Sequence, residues 1–272
     1  MVNIGGIKMG EFQHKHSLGQ NFLKDKNVLA KIIDSCDVHE DDLVIEIGPG
    51  QGALTKFLKL YKCQLLCFEV DNRVEKYLNN YLDDKTKVIY QDFMDVDIKS
   101  EISDIKYNKL YIISNLPYYI TTAIIEKIIN SGLEVEAMVL MVQNEVADRL
   151  SSSVGGRDYG AITVKLNYYY DVQKLFFVSR KSFDPVPNVD SAVIKLEKKK
   201  EFVSVVNEKF FFQLIRDAFA MKRKNIRNNL KKYNLEVVSK ILDSYGLDLT
   251  CRAENIPVLC FIDLANELSK GQ

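Results

Sequence analysis

The chain has 272 residues, enough to bury a large core in one catalytic domain with a small appendage. Hydrophobic residues make up 47% and charged residues 27%, the balance of an ordinary soluble globular protein, and 37 Lys and Arg against 37 Asp and Glu give no net charge to draw nucleic acid over the whole surface. No apolar run approaches the ~20 residues that span a bilayer, so a membrane protein is not expected.

The first twenty residues hold no apolar segment leading to a small-residue cleavage site, so no secretory signal is expected. The cysteines Cys36, Cys63, Cys67, Cys251 and Cys260 show neither a disulfide framework nor metal-binding Cys-x-x-Cys spacing. Cys63 and Cys67 border an apolar stretch and read as buried free thiols. A reducing cytoplasm is the expected setting. Strands are expected at 43–47, 64–70, 87–90, 109–114 and 137–142, with amphipathic helices at 53–61, 73–81 and 122–130 between them. That alternation predicts an α/β fold, a mostly parallel sheet covered on both faces. Two late strands, 173–177 and 192–196, suit an added antiparallel pair. After the charge cluster at 198–201 only helices are expected, at 208–220, 222–232, 235–245 and 258–269. The predicted organisation is a sheet domain over 1–200 and an all-helical domain over 201–272.

Charge is polarised along this order. Residues 195–240 carry 13 Lys and Arg against 5 Asp and Glu, whereas residues 40–104 carry 14 acids against 8 bases. The stretch 221–232 holds six basic residues and no acid, which is either a solvated face or a surface that tracks phosphates.

The sequence Glu46-Ile-Gly48-Pro-Gly50-Gln-Gly52 follows a strand and precedes a helix. Its glycines permit a tight turn and close approach of a ligand to main-chain amides at the helix N-terminus. Glu69 ends the next strand, where a carboxylate accepts hydrogen bonds from ribose hydroxyls. The glycine spacing is not that of dinucleotide-binding loops, and no long basic side chain offers itself to a pyrophosphate. A nucleoside carrying a small amino acid fits better. Asp92, after the third strand, is placed to accept from an adenine amine at the sheet's switch point.

Asn115-Leu116-Pro117-Tyr118 closes the fourth strand. An aromatic amine is a weak nucleophile because its lone pair is delocalised into the ring. An amide oxygen and a neighbouring main-chain carbonyl can hold both its protons and turn the lone pair toward a methyl donor. Proline fixes the turn, and Tyr118 offers a flat face to the base.

In these motifs and their order, residues 16 to about 261 resemble the small-subunit rRNA adenine N6,N6-dimethyltransferases of the KsgA type. The matching blocks are Gly19-Gln-Asn-Phe-Leu23, residues 46–55, Asn115-Leu-Pro-Tyr118, residues 143–150, Tyr159-Gly160, residues 183–191 and residues 223–230. The resemblance implies a Rossmann-like class I methyltransferase sheet and S-adenosylmethionine as cofactor, with no metal. It implies that Asn21, Leu23, Gly48, Glu69, Asp92 and Asn115 line the cofactor site. Asn115, Leu116, Pro117 and Tyr118 would hold the target amine, and Phe183 would clamp the base opposite Tyr118. The implied partner is small-subunit rRNA, two adjacent adenosines in its 3′-terminal hairpin loop, within a precursor small ribosomal subunit. The sequence does not fix the oligomeric state; a monomer is expected. Residues 143–150 read either as a solvated helix pairing Glu145 with Arg149 or as an RNA-positioning element beside the cleft. Departures from the family pattern are Lys222-Arg223-Lys224 in place of Arg-Arg-Lys, Tyr119 where asparagine is usual, and the zero net charge. Three rivals stand beside this reading: an Erm-type large-subunit rRNA methyltransferase, a DNA adenine methyltransferase, and a non-catalytic assembly factor on the same fold.

Overall fold

A computed structural model describes residues 21–201 and 203–270. The strands are β1 (Phe22–Leu23), β2 (Leu43–Ile47), β3 (Gln64–Glu69), β4 (Thr86–Tyr90), β5 (Leu110–Asn115), β6 (Val135–Gln143), β7 (Tyr170–Val178), β8 (Phe183–Asp184) and β9 (Ser191–Lys198). The helices are α1 (Lys26–Ile33), α2 (Thr55–Leu58), α3 (Glu75–Leu78), α4 (Ile98–Ile102), α5 (Thr121–Asn130), α6 (Asn144–Leu150), α7 (Ala161–Tyr169), α8 (Glu208–Ala218), α9 (Ile226–Asn229), α10 (Leu235–Ser244) and α11 (Val258–Ser269).

Seven strands form one sheet in the order β4-β3-β2-β5-β6-β9-β7. Strands β2 to β6 pair in parallel, and β9 and β7 close the sheet as the antiparallel pair expected from their late position. The parallel strands read as unbroken apolar runs because both faces are covered. Alternate residues go to opposite sides: Leu43, Ile45 and Ile47 join one core layer with α5, while Val44 joins the other with Leu54, Leu58, Leu29 and Ile32. Each such fully buried aliphatic side chain contributes about 1.5–3 kcal/mol. From β2 the chain builds outward through β3 to β4, then returns to lay β5 on β2's other side. The crevice past the carboxyl ends of β2 and β5 is therefore the topological switch point.

A third core gathers α8, α10 and α11 around Phe211, Leu214, Leu242, Phe261 and Leu264. It also recruits Tyr159, Val164 and Tyr168, so α7 belongs to it as well as to the sheet, which takes Leu166. The helix expected over 222–232 is cut down to α9. Asn225 caps it by accepting from the Asn228 amide at 3.1 Å. The Asn229 side chain donates back to the Ala218 carbonyl at 2.7 Å, which leaves residues 219–225 as a pinned turn rather than helix. Cys63, Cys67 and Cys260 are buried free thiols. Among the described residues, no helix is long and apolar enough to cross a membrane.

Candidate active site

Two turns face each other at the switch point. On one side, Gly48, Gly50 and Gly52 follow β2 with φ of 69°, 56° and 83°, the left-handed region where a side chain is strained. A Cβ on Gly50 would come within 2.6 Å of the Phe22 ring, which lies across the turn. The expectation of a helix N-terminus here is corrected: α2 begins only at Thr55, and residues 50–54 form the turn itself. Instead of pointing into the cleft, the Gly50 amide donates to Glu69 Oε2 at 2.9 Å, and the Asp71 amide donates to Glu69 Oε1 at 2.8 Å. Glu69 thus braces the glycine turn from the end of the neighbouring strand. Burial pushes its carboxyl above the usual range, although both amides favour the charged form. Each oxygen retains acceptor capacity for a ligand hydroxyl.

Beneath the turn, Glu46 is 1% exposed and accepts from the Thr55 hydroxyl at 2.7 Å. Burial raises its pKa to about 8. Asp92 is exposed at the end of β4. One of its oxygens caps the following turn by accepting from the Met94 amide at 2.9 Å.

On the other side, β5 ends in the Asn115–Pro117 turn. The Leu116 amide donates to Met141 of β6 at 3.1 Å, and the Thr121 hydroxyl at the start of α5 donates to the Pro117 carbonyl at 3.0 Å. The Asn115 amide nitrogen donates to the Asn21 carbonyl at 3.3 Å. Among the described residues nothing donates to the Asn115 side-chain oxygen or to the Leu116 carbonyl, so both acceptors are free of protein partners. The Tyr118 hydroxyl meets the Ser191 hydroxyl at 2.6 Å, and burial raises its pKa.

These pieces line one cleft. Asn21, Leu23, Gly48, Glu69, Asp92, Asn115, Leu116, Pro117 and Tyr118 all border it, as do residues to which the sequence assigned no site role: Phe22, Glu46, Gln91, Phe93 and Tyr119. Phe22 and Gln91 flank motif residues already named, so adjacency was the signal available. Tyr119, where asparagine is usual in the family pattern, is 58% exposed on the cleft wall.

Phe183 is the exception. It is fully buried in the core layer with Leu23 and Val178, and it does not border the cleft. The cause is a two-stranded ladder in which Leu23 of β1 pairs with Phe183 of β8. The Lys24 amide donates to the Ser182 carbonyl at 2.9 Å, and the Ser182 hydroxyl donates to Asp25 at 3.1 Å, fastening the two segments together. Phe183 therefore presents no ring face opposite Tyr118. In α6, Arg149 donates to the Thr122 hydroxyl of α5 at 2.8 Å, rather than taking the Glu145 pairing that was one of the two readings of this segment. Gly19 and Gln20 lie outside the described residues. Among the described residues, no group of three or more His, Cys, Asp or Glu is placed to hold a metal.

The chain is similar to known proteins over nearly its whole length. It is 40% identical to the ribosomal RNA small subunit methyltransferase A of Geobacillus thermodenitrificans, over 94% of this chain and 92% of that one. Against the protein of the same name from Streptococcus pneumoniae, it is 40% identical over 96% and 93%. Among solved structures, a dimethyladenosine transferase from Plasmodium falciparum superposes with a TM-score of 0.74 at 26% identity, covering 91% of this chain and 97% of that one. The 23S rRNA methyltransferase ErmE superposes with a TM-score of 0.70 at 25% identity, covering 92% and 100%. Residues 11–270 match the family described as ribosomal RNA adenine dimethylase, and with these relatives beside that match the chain belongs to this family.

Proposed function

We propose that the chain transfers methyl groups from S-adenosylmethionine to the N6 amine of two adjacent adenosines in the 3′-terminal hairpin loop of small-subunit rRNA. The observation that carries this reading is the pair of open acceptors, Asn115 Oδ1 and the Leu116 carbonyl, on the same cleft as the Glu69-braced glycine turn. Two acceptors are what an exocyclic amine with two protons requires, and Tyr118 beside them supplies a stacking face. The cleft also fits the cofactor: Glu69 keeps acceptor capacity for ribose hydroxyls, Asp92 keeps an oxygen for an adenine amine, and Gly48 borders the cleft in the left-handed conformation that shapes the turn. When bound, the cofactor supplies an electrophilic methyl on a sulfonium, so the bond from sulfur to carbon breaks as that from nitrogen to carbon forms. The protein's part is positioning and fixed dipoles at the amine as positive charge develops there. The surplus proton leaves to solvent.

Residues 1–200 act as the catalytic unit in this reading, and residues 201–272 contact RNA. Lys222, Arg223, Lys224 and Arg227 cluster on the turn before α9 and along it, and among the described residues none is in an ion pair, whereas Lys232 is held by Asp217 at 2.8 Å. Unpaired cations on one turn suit phosphate contacts. The target is presented within a precursor small subunit, and the protein works as a cytoplasmic monomer. The similarity favours the small subunit over the large one, since the relatives at 40% identity carry the small-subunit name and ErmE stands at 25%.

The test is tritium transfer from labelled S-adenosylmethionine to undermethylated small and large subunits, followed by mass-spectrometric mapping. Dimethyladenosine in small-subunit rRNA is the expected product. Methyl groups on large-subunit rRNA alone would replace this reading with the Erm-type one.

A further inference from the structure

Tyr118 is held at both ends. Its backbone lies in the turn that α5 fastens, where the Thr121 hydroxyl reaches the Pro117 carbonyl at 3.0 Å. Its phenol reaches across to β9, where the Ser191 hydroxyl sits at 2.6 Å. Ser191 is fully buried and is the first residue of β9, paired with Gln143 of β6 on one side and Val178 of β7 on the other. Its neighbour Asp190 is fixed as well, because its carboxylate accepts from the Arg180 amide at 2.9 Å and its carbonyl accepts from the Asn144 amide at 3.0 Å.

Stacking on a base uses the ring face alone, and phenylalanine would stack as well as tyrosine. The phenol is therefore not needed for contact with a base. Burial and the nearby Asp190 carboxylate both hold it protonated, so it is no proton acceptor for the amine either. What the hydroxyl does is fix the ring. A tyrosine on a turn otherwise samples several rotamers, and only one of them sets the stacked base so that its amine meets the two acceptors.

We propose that Ser191 is a positioning residue: its buried hydroxyl locks the Tyr118 ring in the plane against which the target adenine lies, so that the amine meets the Asn115 and Leu116 acceptors in register. This rests on the reading of Tyr118 as the base-stacking face. It also gives the block at residues 183–191 a task in the site even though Phe183 is buried, since the block delivers Ser191 rather than a second ring.

A double-mutant cycle tests it, with Ser191→Ala, Tyr118→Phe and the pair, read by steady-state methyl transfer to undermethylated small subunits. A lost hydrogen bond that orients a reacting group lowers the rate about 3- to 10-fold. Each single variant is expected to lose that much in kcat, with the RNA KM and the cofactor Kd within about twofold of wild type. The double variant is expected to be no worse than either single one, because both remove the same bond. Tyr118→Phe leaves the buried core untouched and keeps the test informative should Ser191→Ala fold poorly. Losses that multiply in the double variant, or a Tyr118→Phe enzyme with wild-type kcat, would overturn the inference. If the wild-type protein transfers no methyl group to any RNA, the base-stacking reading falls and this inference falls with it.

Discussion

The glycine turn after β2 and the proline turn after β5 face each other across one cleft, yet they owe their shapes to different parts of the chain. The glycine side is largely local. Positive-φ glycines set the turn, and Glu69, from the adjacent parallel strand, accepts from Gly50 and Asp71. The base side draws on distant segments: Asn115 reaches Asn21, 94 positions away in sequence, and Tyr118 reaches Ser191, 73 positions away. A nucleoside-binding turn can thus be written into one short stretch of sequence. A surface that must align an amine to within a few tenths of an ångström draws its stiffness from several elements at once.

The largest effect should come from breaking the base side. Asn115→Ala removes one of the two acceptors that hold the amine, and loss of a single preorganised polar partner costs about 100- to 1,000-fold in rate. RNA binding should survive, because phosphate contacts lie elsewhere. Filter binding together with tritium transfer separates the two readouts. An Asn115→Ala enzyme turning over near the wild-type rate would remove the residue from the mechanism.

Next comes the acid under the glycine turn, which has no counterpart on the base side. Burial raises the Glu46 pKa from 4.5 to about 8 in the folded protein, against the pull of the Thr55 hydroxyl and Cys67 toward the charged form. The folded state therefore holds a proton that the unfolded chain releases. The stability this gives is complete below pH 4.5 and is lost as pH rises through about 8. The swing is on the order of 5 kcal/mol. Glu46→Gln should flatten it, and denaturant melts of both proteins between pH 5 and 9, outside the cofactor's presence, would show this. Parallel pH profiles for the two proteins would argue that Glu46 is ionised at neutral pH.

Breaking the brace on the glycine side should weaken cofactor binding without touching RNA. Glu69→Ala removes a carboxylate whose hydrogen bonds to a ligand hydroxyl and to two amides are charge-assisted, each worth roughly 1.5–3 kcal/mol. Calorimetry should show S-adenosylmethionine affinity down about 10- to 150-fold. Unchanged affinity in a folded Glu69→Ala protein would withdraw the ribose assignment.

The sheet was largely legible in the sequence because its parallel strands are short, apolar and separated by clear turns. The strand expected at 43–47 is β2 residue for residue, and α11 ends where its periodicity does. Legibility failed where side chains overrule periodicity. The run 222–232 has helical spacing, but Asn225 and Asn229 compete for backbone groups and confine the helix to α9. It failed again where pairing is long-range: nothing in Phe22-Leu23 announces that it will lie beside Phe183-Asp184. The motif residues that line the cleft could be picked out because their chemistry is local to each motif. The Tyr118–Ser191 bond was not, since each partner sits inside a motif that already has a reading of its own.

The smallest effect concerns the residue on which sequence and structure part company. If Phe183 were the second base clamp, trimming its ring would cost activity and little stability. Packed as the structure has it, against Leu23 and Val178 beneath the β1–β8 ladder, the ring fills core volume and touches no substrate. Phe183→Leu keeps the site apolar with a modest loss of volume, so it should cost about 1 kcal/mol of stability. The β1–β8 ladder would stay, because its bonds are made by backbone groups and by Ser182 and Asp25. Methyl transfer should then stay within about twofold of wild type, and thermal melting should show the loss. The opposite result, an unchanged melting temperature with turnover down tenfold or more, would mean that Phe183 leaves the core when RNA binds. In that case β1 would have to release β8 during the reaction, and the base side of the cleft would be completed only by its substrate.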